Sequence, residues 1–75
     1  MAKPLRYDRH AKRRMKWRNI SEREVEAVFD EPDKVEQTGH GRINAFKRIG
    51  ARSIKVTYKE HPHERLIISA VDKSG

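Results

Sequence analysis

The sequence predicts an α+β fold, with two N-terminal helices packed on a four-stranded antiparallel sheet, in a single domain spanning residues 1–75. Apolar residues recur at helical spacing before Pro32 and at every second position after it, and these two periods separate helix from half-buried strand. A capping box stands at Ser21-Glu22-Arg23-Glu24, and turn residues occur at Gly39-His40-Gly41, Gly50-Ala51 and His61-Pro62-His63-Glu64, at the spacing expected for hairpin-linked strands.

Asp8 suits the N-cap of the first helix, which is expected to run to about Arg18, with Asn19 in its closing turn. Ala11 and Met15 mark its apolar stripe. His10, Arg13, Arg14 and Trp17 fall at i, i+3, i+4 and i+7 beside that stripe, and Trp17 is expected at the edge of the core. In the second helix Ser21 is the N-cap and Glu24 is N3. Ile20 and Val25 form a hydrophobic staple around the cap. Val25, Val28 and Phe29 make the buried stripe, and Pro32 ends the helix near Asp30.

Val35 begins a short strand. Ile43, Ala45 and Ile49 then alternate with Arg42, Asn44 and Arg48, and Ile54, Val56 and Tyr58 alternate with Lys55, Thr57 and Lys59. Leu66-Ile67-Ile68-Ser69-Ala70-Val71 is apolar on both faces and reads as a central strand. Asp72 to Gly75 is expected to fray. If the helices cover the apolar sheet face, the other carries Arg42, Asn44, Phe46, Arg48, Lys55, Thr57 and Lys59. Cations around a ring suit single-stranded nucleic acid; the same side chains also suit a plainly solvated face.

The net charge of +7 is unevenly spread. Residues 1–20 carry eight Lys/Arg against one acid, and residues 21–33 carry one against six. Such a balance favours a polyanionic partner: nucleic acid, an acidic membrane surface or an acidic protein. With no cysteine, thiolate chemistry and disulfides are excluded. No apolar run approaches the roughly 20 residues that span a bilayer, and no hydrophobic signal segment opens the chain. A cytoplasmic protein without membrane contact is expected. No metal site and no cofactor is expected: His61-Pro62-His63 lacks a third ligand, and Gly39-His40-Gly41 opens a strand where a phosphate-binding loop would open a helix.

The block His10-Ala11-x-x-Arg14-Met15-x-x-Arg18-x-Ile20-Ser21-x-x-x-Val25, followed by Pro32-Asp33-x-Val35, Gly41-Arg42-x-x-Ala45 and Ile54-x-Val56-x-Tyr58, resembles the bacterial family catalogued as domain of unknown function 4258. Members of that family are similar to small toxins of the RelE and BrnT type. The resemblance therefore implies a RelE-like sheet on N-terminal helices, metal-independent endoribonuclease activity, and an acidic antitoxin protein as partner. Carried onto this chain, His10, Arg14 and Arg42 are the implied catalytic positions. Metal-free cleavage requires a base for the 2′-hydroxyl, cations on the phosphorane and an acid for the leaving oxygen; His10 suits the proton steps, and Arg14 and Arg42 suit the phosphate. Arg13, Arg14, Trp17, Arg42, Arg48, Lys55 and Lys59 are the candidate nucleic-acid contacts. RNA or the ribosome is the partner that the resemblance implies, and a non-catalytic nucleic-acid- or protein-binding module of the same fold is the alternative.

Overall fold

A computed structural model describes residues 3–73. The element order is β1 (Leu5–Tyr7), α1 (Arg9–Trp17), α2 (Glu22–Asp30), β2 (Lys34–Gln37), β3 (Arg42–Ile49), β4 (Arg52–Glu60) and β5 (Arg65–Asp72). The strands form one sheet in the order β1-β5-β4-β3-β2. The β2–β3, β3–β4 and β4–β5 pairs are antiparallel, and β1 lies parallel to β5.

The four-stranded antiparallel prediction is thus corrected to a five-stranded mixed sheet whose first strand precedes the helices. The reason is physical. Leu5-Arg6-Tyr7 is three residues long, too short to express a period, and it pairs with Arg65, Leu66 and Ile67 at the far end of the chain. A parallel partner needs a crossover and leaves no turn signal beside it. The Arg65 amide donates to the Pro4 carbonyl (3.1 Å) and the Asp8 amide to the Ile67 carbonyl (3.0 Å), extending the ladder at both ends of β1.

Asp8 then starts α1, its carboxylate accepting from the His10 amide at 2.8 Å. The helix closes in a Schellman motif: Ile20 N–H donates to the Met15 carbonyl (2.9 Å) and Asn19 N–H to the Lys16 carbonyl (3.3 Å). Asn19 takes φ 55°, a left-handed conformation that Asn tolerates better than most residues. Ile20 and Met15 are both buried, supplying the apolar contact of that motif. In α2 both bonds of the capping box form, and Ile20 and Val25 are buried as the staple requires.

Both helices lie on one face of the sheet. Ala11, Met15, Ile20, Val25 and Val28 join Ala45, Ile54, Val56, Tyr58, Ile67 and Ala70 in a single core cluster. Phe29 meets Tyr58 edge-on at 4.7 Å between centroids, and the Arg65 guanidinium sits 5.1 Å from the Phe29 centroid. A β-bulge in β5 leaves Ile68 without a partner, between Tyr58↔Ile67 and Thr57↔Ser69. The extra residue puts Ser69 on the open face and returns Ala70 to the core.

Arg52 ties the α1–α2 turn to the sheet. Its guanidinium donates to the Asn19 carbonyl (2.8 Å), the Arg18 carbonyl (3.1 Å), Glu24 (2.8 Å) and Asp72 (3.3 Å). The expected fraying from Asp72 is therefore corrected for Asp72 itself, which closes β5, and for Lys73, whose amide donates to the Ser53 carbonyl at 2.7 Å; Ser74 and Gly75 lie outside the described residues.

Candidate nucleic-acid interface

The sheet face away from the helices is built in rows, because side chains paired in register share a face. The first row is Arg6-Leu66-Lys59-Arg42, the second Ser69-Thr57-Asn44-Glu36 and the third Val71-Lys55-Phe46-Lys34; Ser53-Arg48 follows. Successive rows stand about 6.6–6.8 Å apart, two residues along each strand. Cationic rows thus flank a row that is uncharged at Ser69, Thr57 and Asn44 and ends in Glu36 at the β2 edge; within it the Thr57 hydroxyl donates to Asn44 Oδ1 at 2.7 Å. The Lys34 ammonium lies 5.7 Å from the Phe46 ring centroid and 3.3 Å from Glu36. Arg6 is held by Glu64 at 3.0 Å.

Arg42, Arg48, Lys55 and Lys59 have no side-chain ion pair or hydrogen bond among the described residues. Unneutralised cations on adjacent strands repel one another, and an arriving phosphate relieves that repulsion as well as replacing bound counterions. The central hydroxyls and amide supply neutral polar partners, and Phe46 supplies a ring.

The second group of expected site residues lies on the other side of the molecule. α1 buries Ala11 and Met15 toward the sheet and leaves His10, Arg13, Arg14 and Trp17 exposed. His10 and Arg14 therefore stand in the helix layer, and Arg42 stands across the sheet from them. The structure brings His10 and Arg14 together, and separately Arg42, Arg48, Lys55 and Lys59; it does not unite the two sets. Trp17 is 78% exposed, a correction to its expected place at the core edge. The buried stripe of α1 is only two residues wide, and the ring lies well off its direction.

Lys34 and Ser69 were absent from the expected contacts. Lys34 reaches Phe46 only through the β2–β3 register, and Ser69 reaches the open face only through the bulge. Neither carries a local sequence signal. Among the described residues no three His, Asp or Glu side chains gather as metal ligands, and no helix is long and apolar enough to cross a membrane.

One further polar group lies on the helix side of the sheet, in register with the buried Ile67. The Tyr7 hydroxyl is buried with no hydrogen-bond partner among the described residues. Burial, with Glu22 and then Glu26 adding to it, pushes its pKa up to about 12. At neutral pH it is a phenol, and it faces away from the open sheet surface.

No curated protein and no solved structure matches the chain, so no matched relative carries over a RelE- or BrnT-type activity. Residues 7–72, however, match the model of the family described as a domain of unknown function (DUF4258), from the end of β1 to the end of β5, and the protein belongs to that family.

Proposed function

We propose that this protein binds single-stranded RNA across the open face of its sheet, as a binding module. The observation that carries the reading is the set of four cations, Arg42, Arg48, Lys55 and Lys59, unpaired among the described residues, around Phe46 and the Asn44–Thr57 pair on the sheet face away from the helices. Phosphates meet the cationic rows, a base stacks on Phe46, and the Ser69, Thr57 and Asn44 side chains between them meet base edges or 2′-hydroxyls. Binding is preferred over cleavage because the groups implied for cleavage, His10, Arg14 and Arg42, stand on opposite sides of the sheet, and one phosphate cannot meet all three.

The test is a titration of labelled oligouridine at several salt concentrations. The log–log slope for single strands is about −0.7 per phosphate contact, so four engaged cations give a slope near −3. Lys55→Ala with Lys59→Ala makes the slope shallower by about 1.4. Duplex RNA competes poorly, because its bases are not free to stack. A slope unchanged in the double variant, or equal affinity for duplex and single strand, refutes the reading.

A further inference from the structure

The cations of this chain fall into two kinds. Lys3, Arg6, Arg18, Lys34, Lys47, Arg52 and Arg65 are engaged by carboxylates or backbone carbonyls. All of the remainder but Arg23 and Lys73 lie in two places. One is the open sheet face. The other is α1, where Arg9, Lys12, Arg13, Arg14 and Lys16 have no side-chain partner among the described residues, and where no acidic residue occurs between Arg9 and Trp17. The two clusters face opposite ways from a body whose principal extents are 33 × 27 × 25 Å.

α1 carries more than charge. Trp17 is the sole tryptophan of the chain and lies 78% exposed at the helix end. Arg13 and Arg14 precede it by four and three residues and so flank it on the helix surface. Fully exposing an indole forgoes the stabilisation that burial would bring, so an exposed Trp flanked by free guanidinium groups is a marked feature. A ring flanked by cations presents a phosphodiester strand with stacking and charge contacts together. Self-repulsion among five cations on one short helix is relieved when phosphates arrive.

We propose that the outer face of α1 is a second single-stranded nucleic-acid site, and that the protein bridges two strands, one on each side of the sheet. The bridging half of this proposal rests on the open-face reading above; the α1 site does not. Arg13, Arg14 and Trp17 are its central contacts, with Arg9, Lys12 and Lys16 adding charge. The sheet separates the two sites, so a short strand occupies one of them at a time.

Trp17 supplies its own reporter. An oligouridine of about eight nucleotides, within the range of small single-strand sites, is expected to bind with two strands per protein and to quench Trp17 fluorescence. The quench is expected to persist in the Arg42→Ala/Lys55→Ala/Lys59→Ala variant, and energy transfer between donor- and acceptor-labelled strands is expected in the unaltered protein only. Arg13→Glu with Arg14→Glu is expected to leave one strand per protein and no transfer, and Trp17→Ala to weaken the α1 site by about 5- to 150-fold. All substituted side chains are exposed or half-buried at the surface, and an unchanged circular dichroism spectrum verifies folding. RNA binding with Trp17 fluorescence unaltered, or quenching by polyglutamate in place of RNA, overturns the α1 site. Persistent quenching with one strand per protein before and after the open-face substitutions overturns the open-face reading and bridging while leaving the α1 site standing.

Discussion

Replacing Arg52 with alanine removes more than an exposed charge. Its guanidinium makes charge-assisted bonds to Glu24 and Asp72 and covers the carbonyls of Arg18 and Asn19, which close α1. Hydrogen bonds to charged groups contribute about 1.5–3 kcal/mol each, but a simple sum overstates the loss. The Arg52, Glu24 and Asp72 side chains retain 30%, 20% and 27% of their exposure, so water re-solvates part of what the substitution frees. We expect a net loss of about 2–3 kcal/mol, between the values typical of surface and buried pairs. A 75-residue domain has a total stability of roughly 4–11 kcal/mol, so that loss is a large part of the whole. At about 4–8 °C per kcal/mol for a domain of this size, Tm falls by roughly 8–24 °C. Arg52→Lys restores one charge but not the planar fork that serves four acceptors at once, and it recovers less than half of the loss. Urea unfolding followed by circular dichroism measures both variants. A loss below about 0.5 kcal/mol for Arg52→Ala, the range of ordinary surface substitutions, refutes the role of Arg52 as the tie between the helix turn and the sheet.

Two further outcomes follow from the fold. Ser21→Ala removes the N-cap oxygen and, with it, the reciprocal bond geometry to Glu24, for a loss of about 1 kcal/mol in the same urea assay. Both tyrosines titrate above the ordinary phenol range: Tyr7 at about 12, and Tyr58 in the same direction because burial outweighs the opposing effect of Arg65. The unfolded state gives up its phenolic protons near pH 10 while the folded state still holds them. This contribution to stability is therefore fully present below about pH 10 and lost as pH rises through about 12. Tyrosinate absorbance in the native protein that rises at the free-tyrosine pKa contradicts the burial of Tyr7.

Local signals located the helices well. Ser21 and Glu24 close the expected box, Pro32 follows the end of α2, and the alternation of residues 42–59 assigns Ile54, Val56 and Tyr58 to the core and Lys55, Thr57 and Lys59 to the open face. Non-local pairing was the part that could not be read. Leu5-Arg6-Tyr7 has no neighbour in sequence that marks it as a strand, and the Ile68 bulge is set by the Tyr58↔Ile67 register, which no residue type announces. The same alternation that places Arg42 on the open face already places it across the sheet from a helix packed on the core side. Family resemblance joined Arg42 to His10 and Arg14 as one centre, and the layer order separates them. Aromatic residues are usually drawn inward, but the buried residues of α1 are Ala11 and Met15, and Trp17 points off their stripe.

The proposed binding of RNA on the open sheet face is tested most directly by backbone amide chemical-shift mapping during titration with oligouridine, with Arg13→Glu/Arg14→Glu protein used so that only that face is available. If the proposal holds, the largest shifts fall in β3 and β4 around Arg42, Asn44, Phe46, Lys55, Thr57 and Lys59, with α2 unmoved. Shifts confined to the helix layer, or no shifts in this variant at RNA concentrations that saturate the unaltered protein, contradict it.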